Sequence, residues 1–272
     1  IATGMFELEQ GCAAPAGRAL WENIAYLRGE LDDWERGNGR NVELSGFSAH
    51  YNVSFQPPEP RRADRTVKKL ALLLAYILPL PVMLFSANRR STGIGVRPRG
   101  TRVEVTADFT PDPSLMIAAA TLCVGIIQAV MRWPTYDLSA FDNLRRELPM
   151  IRDVHPVPAS TRKGWSAKYS CYPENPFVQD VDEPMWKTTG GETLSIRMLA
   201  SRILNHFRDE IVHYADPRTL KLIDDVMEGR ALSLLELKDR PPEYDSVGRL
   251  CQWDDRFDER TLSRSRYERL LT

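Results

Sequence analysis

Two glutamates set two residues apart, Glu7 and Glu9, a histidine at 50 and a third glutamate at 104 are of the types that ligate a divalent cation. Side chains alternate across a strand, so in Met5-Phe-Glu-Leu-Glu9 both carboxylates point one way while Phe6 and Leu8 point the other. In Ser48-Ala-His-Tyr-Asn-Val-Ser-Phe55, one face carries Ser48, His50, Asn52 and Ser54, and the opposite face Ala49, Tyr51, Val53 and Phe55. A third segment, Thr101 to Phe109, sets Arg102, Glu104, Thr106 and Asp108 against Val103, Val105, Ala107 and Phe109. One sheet gathering these polar faces would join Glu7, Glu9, His50, Asn52, Arg102 and Glu104. Mg²⁺ takes few protein ligands and completes its octahedron with water and phosphate oxygens, so such a face points to a metal-nucleotide site. An antiparallel sheet with one face in water shows the same alternation with no site at all.

Between the second and third segments lies Ser86-Ala-Asn-Arg-Arg-Ser-Thr-Gly-Ile-Gly-Val-Arg-Pro-Arg-Gly100. It concentrates Arg89, Arg90, Arg97 and Arg99 among small residues. Guanidinium forks match phosphate and carboxylate groups, and the amides of Gly-rich turns add donors, so this loop is an anion-binding candidate. A solvated basic turn is the plain alternative. The patterns GxxxxGK[ST] and GxGxxG are both absent, so neither P-loop nor dinucleotide chemistry is indicated.

The elements that must position these residues follow from periodicity and punctuation. Strand 3 to 9 leads through a loop at Pro15 to a helix from about Ala19 to Glu35, ended by Gly37-Asn-Gly39. After the linker Gln56 to Pro60 and the basic pair Arg61-Arg62, Leu70 to Phe85 is almost wholly apolar but contains Pro79 and Pro81. It falls short of the ~20 uninterrupted apolar residues of a membrane span and reads as a buried helix broken near the prolines. Leu115 to Val130 is a second apolar helix, started by Thr110-Pro-Asp-Pro-Ser114. Long ordered loops are expected from Asp153 to Glu183, including Arg162-Lys-Gly-Trp-Ser-Ala-Lys-Tyr169. An amphipathic helix follows from Glu192 to Tyr214, then short helices at Leu220 to Met227 and Ala231 to Leu237 and a charge-dense helix beyond Asp254.

With 36 basic and 37 acidic residues the formal charge is −1, so no global field favours nucleic acid or an anionic membrane. Cys12, Cys123, Cys171 and Cys251 are scattered, without a CxxC pair or a secretory leader, which leads us to expect the reducing cytoplasm rather than a disulfide framework. His206 and His213 lie seven apart on a helical face, about two turns, too far to share one ion without a bend.

The order of these segments resembles the glutamine-synthetase-like carboxylate-amine ligases, closest to the glutamate-cysteine ligase group. Leu80-Pro-Val-Met-Leu-Phe-Ser-Ala-Asn88 is similar to the family's P-x-x-x-A-L-S/F-A-N-S-P helix and loop, and Met5-Phe-Glu-Leu-Glu9 to its opening G-x-E-x-E strand. His50 to Phe55 resembles the H/Q-V-H/N-V/L strand, and Gly100-Thr-Arg-Val-Glu-Val105 the G-T-x-E-x-R strand. The resemblance covers roughly residues 1–135. It implies an α+β fold whose curved antiparallel sheet forms a funnel, with apolar helices on one face and a helical C-terminal extension.

Residues 1–135 would then be the catalytic core, 136–191 an ordered loop region closing the site, and 192–272 the helical C-terminal part of the same domain. It also implies metal ligands at Glu7, Glu9, His50 and Glu104, catalytic arginines at Arg97, Arg99 and Arg102, and nucleotide contacts at Asn52, Asn88, Arg89 and Arg90. The expected activity is ATP- and Mg-dependent: a small carboxylate such as an amino acid is phosphorylated and an amine attacks the acyl phosphate to give an amide. The partners expected are small carboxylate and amine substrates, with no nucleic acid and no membrane; homo-oligomerisation is left open. Ala87-Asn88-Arg89-Arg90 and Thr106 depart from the family pattern. They keep open a second reading, a catalytically inactive relative whose funnel binds an anionic metabolite or a protein partner.

Overall fold

Residues 1–42, 44, 46–57, 65–138, 148, 150–159 and 163–237 are described by a computed structural model. The expected helix beyond Asp254, Cys251 and the Arg61-Arg62 pair lie outside them. Helix α1 (Ala13–Asn38) starts earlier than its apolar period suggests, with Pro15 in the first turn, where a missing N–H costs nothing. It ends where expected: Gly39 adopts a left-handed φ of 63° and donates its N–H to the Glu35 carbonyl at 2.9 Å.

Alternation then decides which side of each strand meets the helices. Strands β1 (Ala49–Ser54), β2 (Gly93–Pro98), β3 (Arg102–Ala107), β4 (Val157–Pro158) and β5 (Trp165–Lys168) form one antiparallel sheet in the order β1-β3-β2-β5-β4, open at both edges among the described residues. On one face Val53, Ile94, Val96, Val103, Val105, Ala107 and Ala167 are all buried. Helices α2 (Val67–Ile77), α3 (Pro79–Ser86) and α4 (Pro113–Met131) cover that face, and the fold is α+β. Helices α2 and α3 are bent by 67° at Leu78-Pro79, the break that the prolines predict.

Local chemistry starts each helix. Thr66 caps α2 by accepting from the Lys69 N–H, and Asp112 caps α4 by accepting from Ser114 and Leu115 N–H, with Pro113 in the first turn. Helix α4 is long and apolar enough to cross a membrane by composition, but 83% of that window is buried inside the fold. It is apolar all round because α1, α3 and β1 pack on it together with α6 (Arg208–Tyr214) and α7 (Pro217–Met227). Helix α5 (Ile196–His206), capped by Ser195, extends the same core through Leu199 and Ile203. A small hairpin of β6 (Trp186–Lys187) and β7 (Thr193–Leu194) precedes it.

Five expectations are corrected. Residues 3–9 form no strand: the Cys12 N–H bonds the Glu9 carbonyl in a turn, and the Gly11 N–H donates to the Tyr214 carbonyl at 2.8 Å, tying the segment to α6. The arginine loop contains strand β2 (Gly93–Pro98), and the supposed loop around Trp165 is β5. The helix read from Glu192 to Tyr214 begins at Ile196 and breaks at Phe207 into α5 and α6. Residues 231–237 are turns rather than a helix.

Candidate functional site

Register sets out the open face of the sheet row by row. One row pairs Asn52, Glu104 and Arg97 across β1, β3 and β2; the next pairs His50, Thr106, Gly95 and Ser166, reaching β5. Ser54 lies opposite Arg102 at one end, and Gly93 opposite Lys168 at the other. Because Ala167 points into the core, Ser166 and Lys168 point outward with the polar residues. The open-face residues are exposed or half-buried, except Glu104.

Glu104 is 4% exposed because arginines cover it. Arg97 Nε stands 2.8 Å from Oε1. Arg99 forks onto the same carboxylate, Nε to Oε2 at 3.1 Å and Nη2 to Oε1 at 3.3 Å. Arg97 Nη2 also donates to Thr106 Oγ1 at 2.7 Å, while Arg102 Nε donates to Asn52 Oδ1 at 2.8 Å. Arg102 therefore keeps both Nη groups without a hydrogen-bond partner among the described residues, the end-on fork that best matches an oxyanion.

His50 Nδ1 lies 3.9 Å from Glu104 Oε2, and its Nε2 lies 3.2 Å from Ser48 Oγ. Burial pushes the imidazole below its ordinary value; Glu104 acts in the opposite sense, and Arg97 and Arg99 add to the lowering. The ring is thus held neutral around pH 7.

The sheet brings together six of the expected site residues: His50, Asn52, Arg97, Arg99, Arg102 and Glu104. The others lie elsewhere. Glu7 and Glu9 belong to the N-terminal segment tied to α6. Arg89 Nε donates to the Leu235 carbonyl at 3.0 Å, and so holds the segment after α7 against α3. Asn88 uses its amide N–H on Asp108 Oδ2 and its Oδ1 to accept from the Arg90 N–H, which builds the turn into β2. Its neighbour Arg90 is exposed on that turn.

The residues assembled do not fit a resident Mg²⁺. Both oxygens of Glu104 already take guanidinium hydrogen bonds, and among the described residues no group of three or more His, Cys, Asp or Glu side chains could hold a metal ion. What is assembled is a cationic surface. Three arginines against one carboxylate leave an excess of two positive charges in this cluster, with the Lys168 ammonium farther along the face.

Lys168 was legible as an alternating position once Trp165–Lys168 is seen as a strand; Ser166 shares its face. Comparison with protein-family models, curated proteins and solved structures returned no match.

Proposed function

We propose that the open face of the sheet binds a small anionic metabolite through an oxyanion, carboxylate or phosphate, seated on Arg102 beside Arg97 and Arg99. The supporting observation is the charge imbalance around Glu104 together with the Nη pair of Arg102, which has no hydrogen-bond partner among the described residues. Glu104 then orients Arg97 and Arg99 instead of ligating a metal. A neutral His50 adds a polar wall without competing for the anion. Calorimetric titration with inorganic phosphate and with citrate at low ionic strength tests this: one saturable site, weakened by salt, is expected. Absence of saturable binding by either anion contradicts it.

A second reading keeps the ATP- and Mg-dependent carboxylate-amine ligase, a cytoplasmic enzyme with a curved, funnel-like sheet. It is favoured by one observation: β1, β2 and β3 bring His50, Glu104 and the three arginines onto one face, in the segment order that the resemblance implies. This reading needs metal donors beyond those assembled on the face. Titration with ATP in the presence and absence of Mg²⁺ separates the two. Metal-dependent nucleotide binding supports the ligase, and indifference to the metal supports anion binding alone.

A further inference from the structure

Strand β1 lies at one edge of the sheet, and the phase of its hydrogen bonds fixes which backbone groups that edge leaves open. The Phe55 N–H donates to the Thr101 carbonyl at 2.7 Å, one step beyond the Ser54–Arg102 pair, so Phe55 and Thr101 are a hydrogen-bonded pair. Such pairs alternate along an antiparallel ladder. Val53, Tyr51 and Ala49 therefore bond β3, while His50, Asn52 and Ser54 turn their N–H and C=O groups outward. The β2–β3 hairpin agrees: Arg99 and Arg102 exchange backbone hydrogen bonds at 2.8 and 3.3 Å, which aims the even residues of β3 at β2 and the odd ones at β1. His50, Asn52 and Ser54 are exposed, and their outward backbone groups have no partner among the described residues.

An open edge is a template for another strand, and proteins that keep one free blunt it with charged side chains, proline or a bulge. Strand β1 has none of these. Its sequence Ala-His-Tyr-Asn-Val-Ser holds no lysine, arginine, carboxylate or proline, and its register against β3 is unbroken over six residues. The edge is also complementary to itself. When two copies of β1 run antiparallel about a two-fold axis at Asn52, Asn52 meets Asn52 and His50 meets Ser54. This register pairs all the outward N–H and C=O groups of His50, Asn52 and Ser54 in both copies and keeps the polar faces of the two sheets on one side. On the other face it sets Tyr51 against Val53, an aromatic and β-branched pair, and no like charges stand directly opposite.

We infer that β1 pairs edge to edge with β1 of a second copy of this chain, joining the two five-stranded sheets into one continuous sheet about Asn52. The inference does not rest on the anion site. A joint this short buries little surface, so a weak, concentration-dependent dimer is expected. Each Arg102 donates to Asn52 of its own copy, so two guanidiniums flank the axis. Salt screens their repulsion and should strengthen the association, the reverse of its effect on anion binding.

Sedimentation equilibrium of the full chain over a concentration series, at low and high salt, is the test. The wild type should pass from monomer to dimer as concentration rises, and more readily at high salt. Ser54→Pro removes an outward N–H where an edge strand tolerates proline. It should keep the far-UV circular dichroism of the wild type and lose the dimer. Asn52→Lys sets like charges opposite each other across the axis and should weaken association roughly fivefold, whereas its equimolar mixture with Asn52→Asp should associate more tightly than either variant alone. A wild type that stays monomeric throughout, a dimer weakened by salt or untouched by Ser54→Pro, or a mixture no tighter than its components overturns the inference and leaves the anion site standing.

Discussion

Arg97 and Glu104 are direct cross-strand partners in the β2–β3 register, and their side chains meet at 2.8 Å, Nε to Oε1. Opposite charges placed this way on neighbouring strands stabilise the pairing by roughly 0.2–1 kcal/mol when exposed. Here the carboxylate is buried under two guanidiniums, so its loss exposes more than one pair. The same contact sets the chemistry of the face: a glutamate saturated by arginines organises cations.

Glu104→Gln should retain the fold but lower the midpoint of urea unfolding, by an amount equivalent to about 1–3 kcal/mol, because Arg97 and Arg99 are left as uncompensated neighbours. Arg97 and Arg99 remain partly accessible, which keeps the cost below that of a wholly buried charge. A midpoint equal to the wild type would show that Glu104 does not organise the cluster.

The two glycines of β2 should respond in opposite ways. Gly93→Ala places a methyl 2.4 Å from a backbone oxygen at a φ of 137° and should cost on the order of 3 kcal/mol. Gly95→Ala meets only ordinary contacts and should stay within about 1 kcal/mol of the wild type, in either direction. Thermal unfolding of the two variants side by side is sufficient.

His50 gives a pH signature whose sign follows from its surroundings. Burial first, then Arg97 and Arg99, lower its folded-state pKa from 6.5, with Glu104 opposing. The unfolded chain therefore binds the proton more readily, and stability rises with pH. The contribution is fully present above the unfolded value and is lost as pH falls through the lowered folded one. His50→Asn should lose less stability than the wild type between neutral and mildly acidic pH, as read from urea midpoints. Equal losses would contradict the assignment.

Asp108 carries the opposite sign. Burial raises its pKa above 3.8, with the hydrogen bond from the Asn88 amide pulling the other way. Its contribution is present below the unfolded value and lost as pH rises through the raised folded one. Asp108→Asn keeps an acceptor for the Asn88 amide and should be at least as stable as the wild type at pH 7. A marked loss of stability would mean that the ionised carboxylate is needed.

Much of the sheet was legible because period-two alternation over six or more residues leaves little freedom: β1 and β3 carry their polar and buried residues as the sequence predicts. The helices were legible from apolar runs and from caps such as Asp112 followed by Pro113. Met5 to Glu9 misled because five alternating residues satisfy the pattern without a neighbouring strand to pair with. Strand β2 was hidden for the reverse reason. Ile94 and Val96 do alternate with Gly93, Gly95 and Arg97, but glycines, a proline and arginines suggest a turn, and only pairing with β3 and β5 turns that composition into a strand. Lys168 joined the site for the same non-local reason. The saturation of Glu104 could not be read from spacing, since it depends on side chains from two strands meeting over one position.

The most direct measurement of the central claim is an amide chemical-shift map of the isotope-labelled full chain during titration with inorganic phosphate at low salt. Shifts that saturate together and concentrate at Asn52, Arg97, Arg99, Arg102 and Glu104, and that are lost in Arg102→Gln, are the predicted result. Shifts scattered over the helical layer, or unchanged by Arg102→Gln, would contradict an anion site on this face.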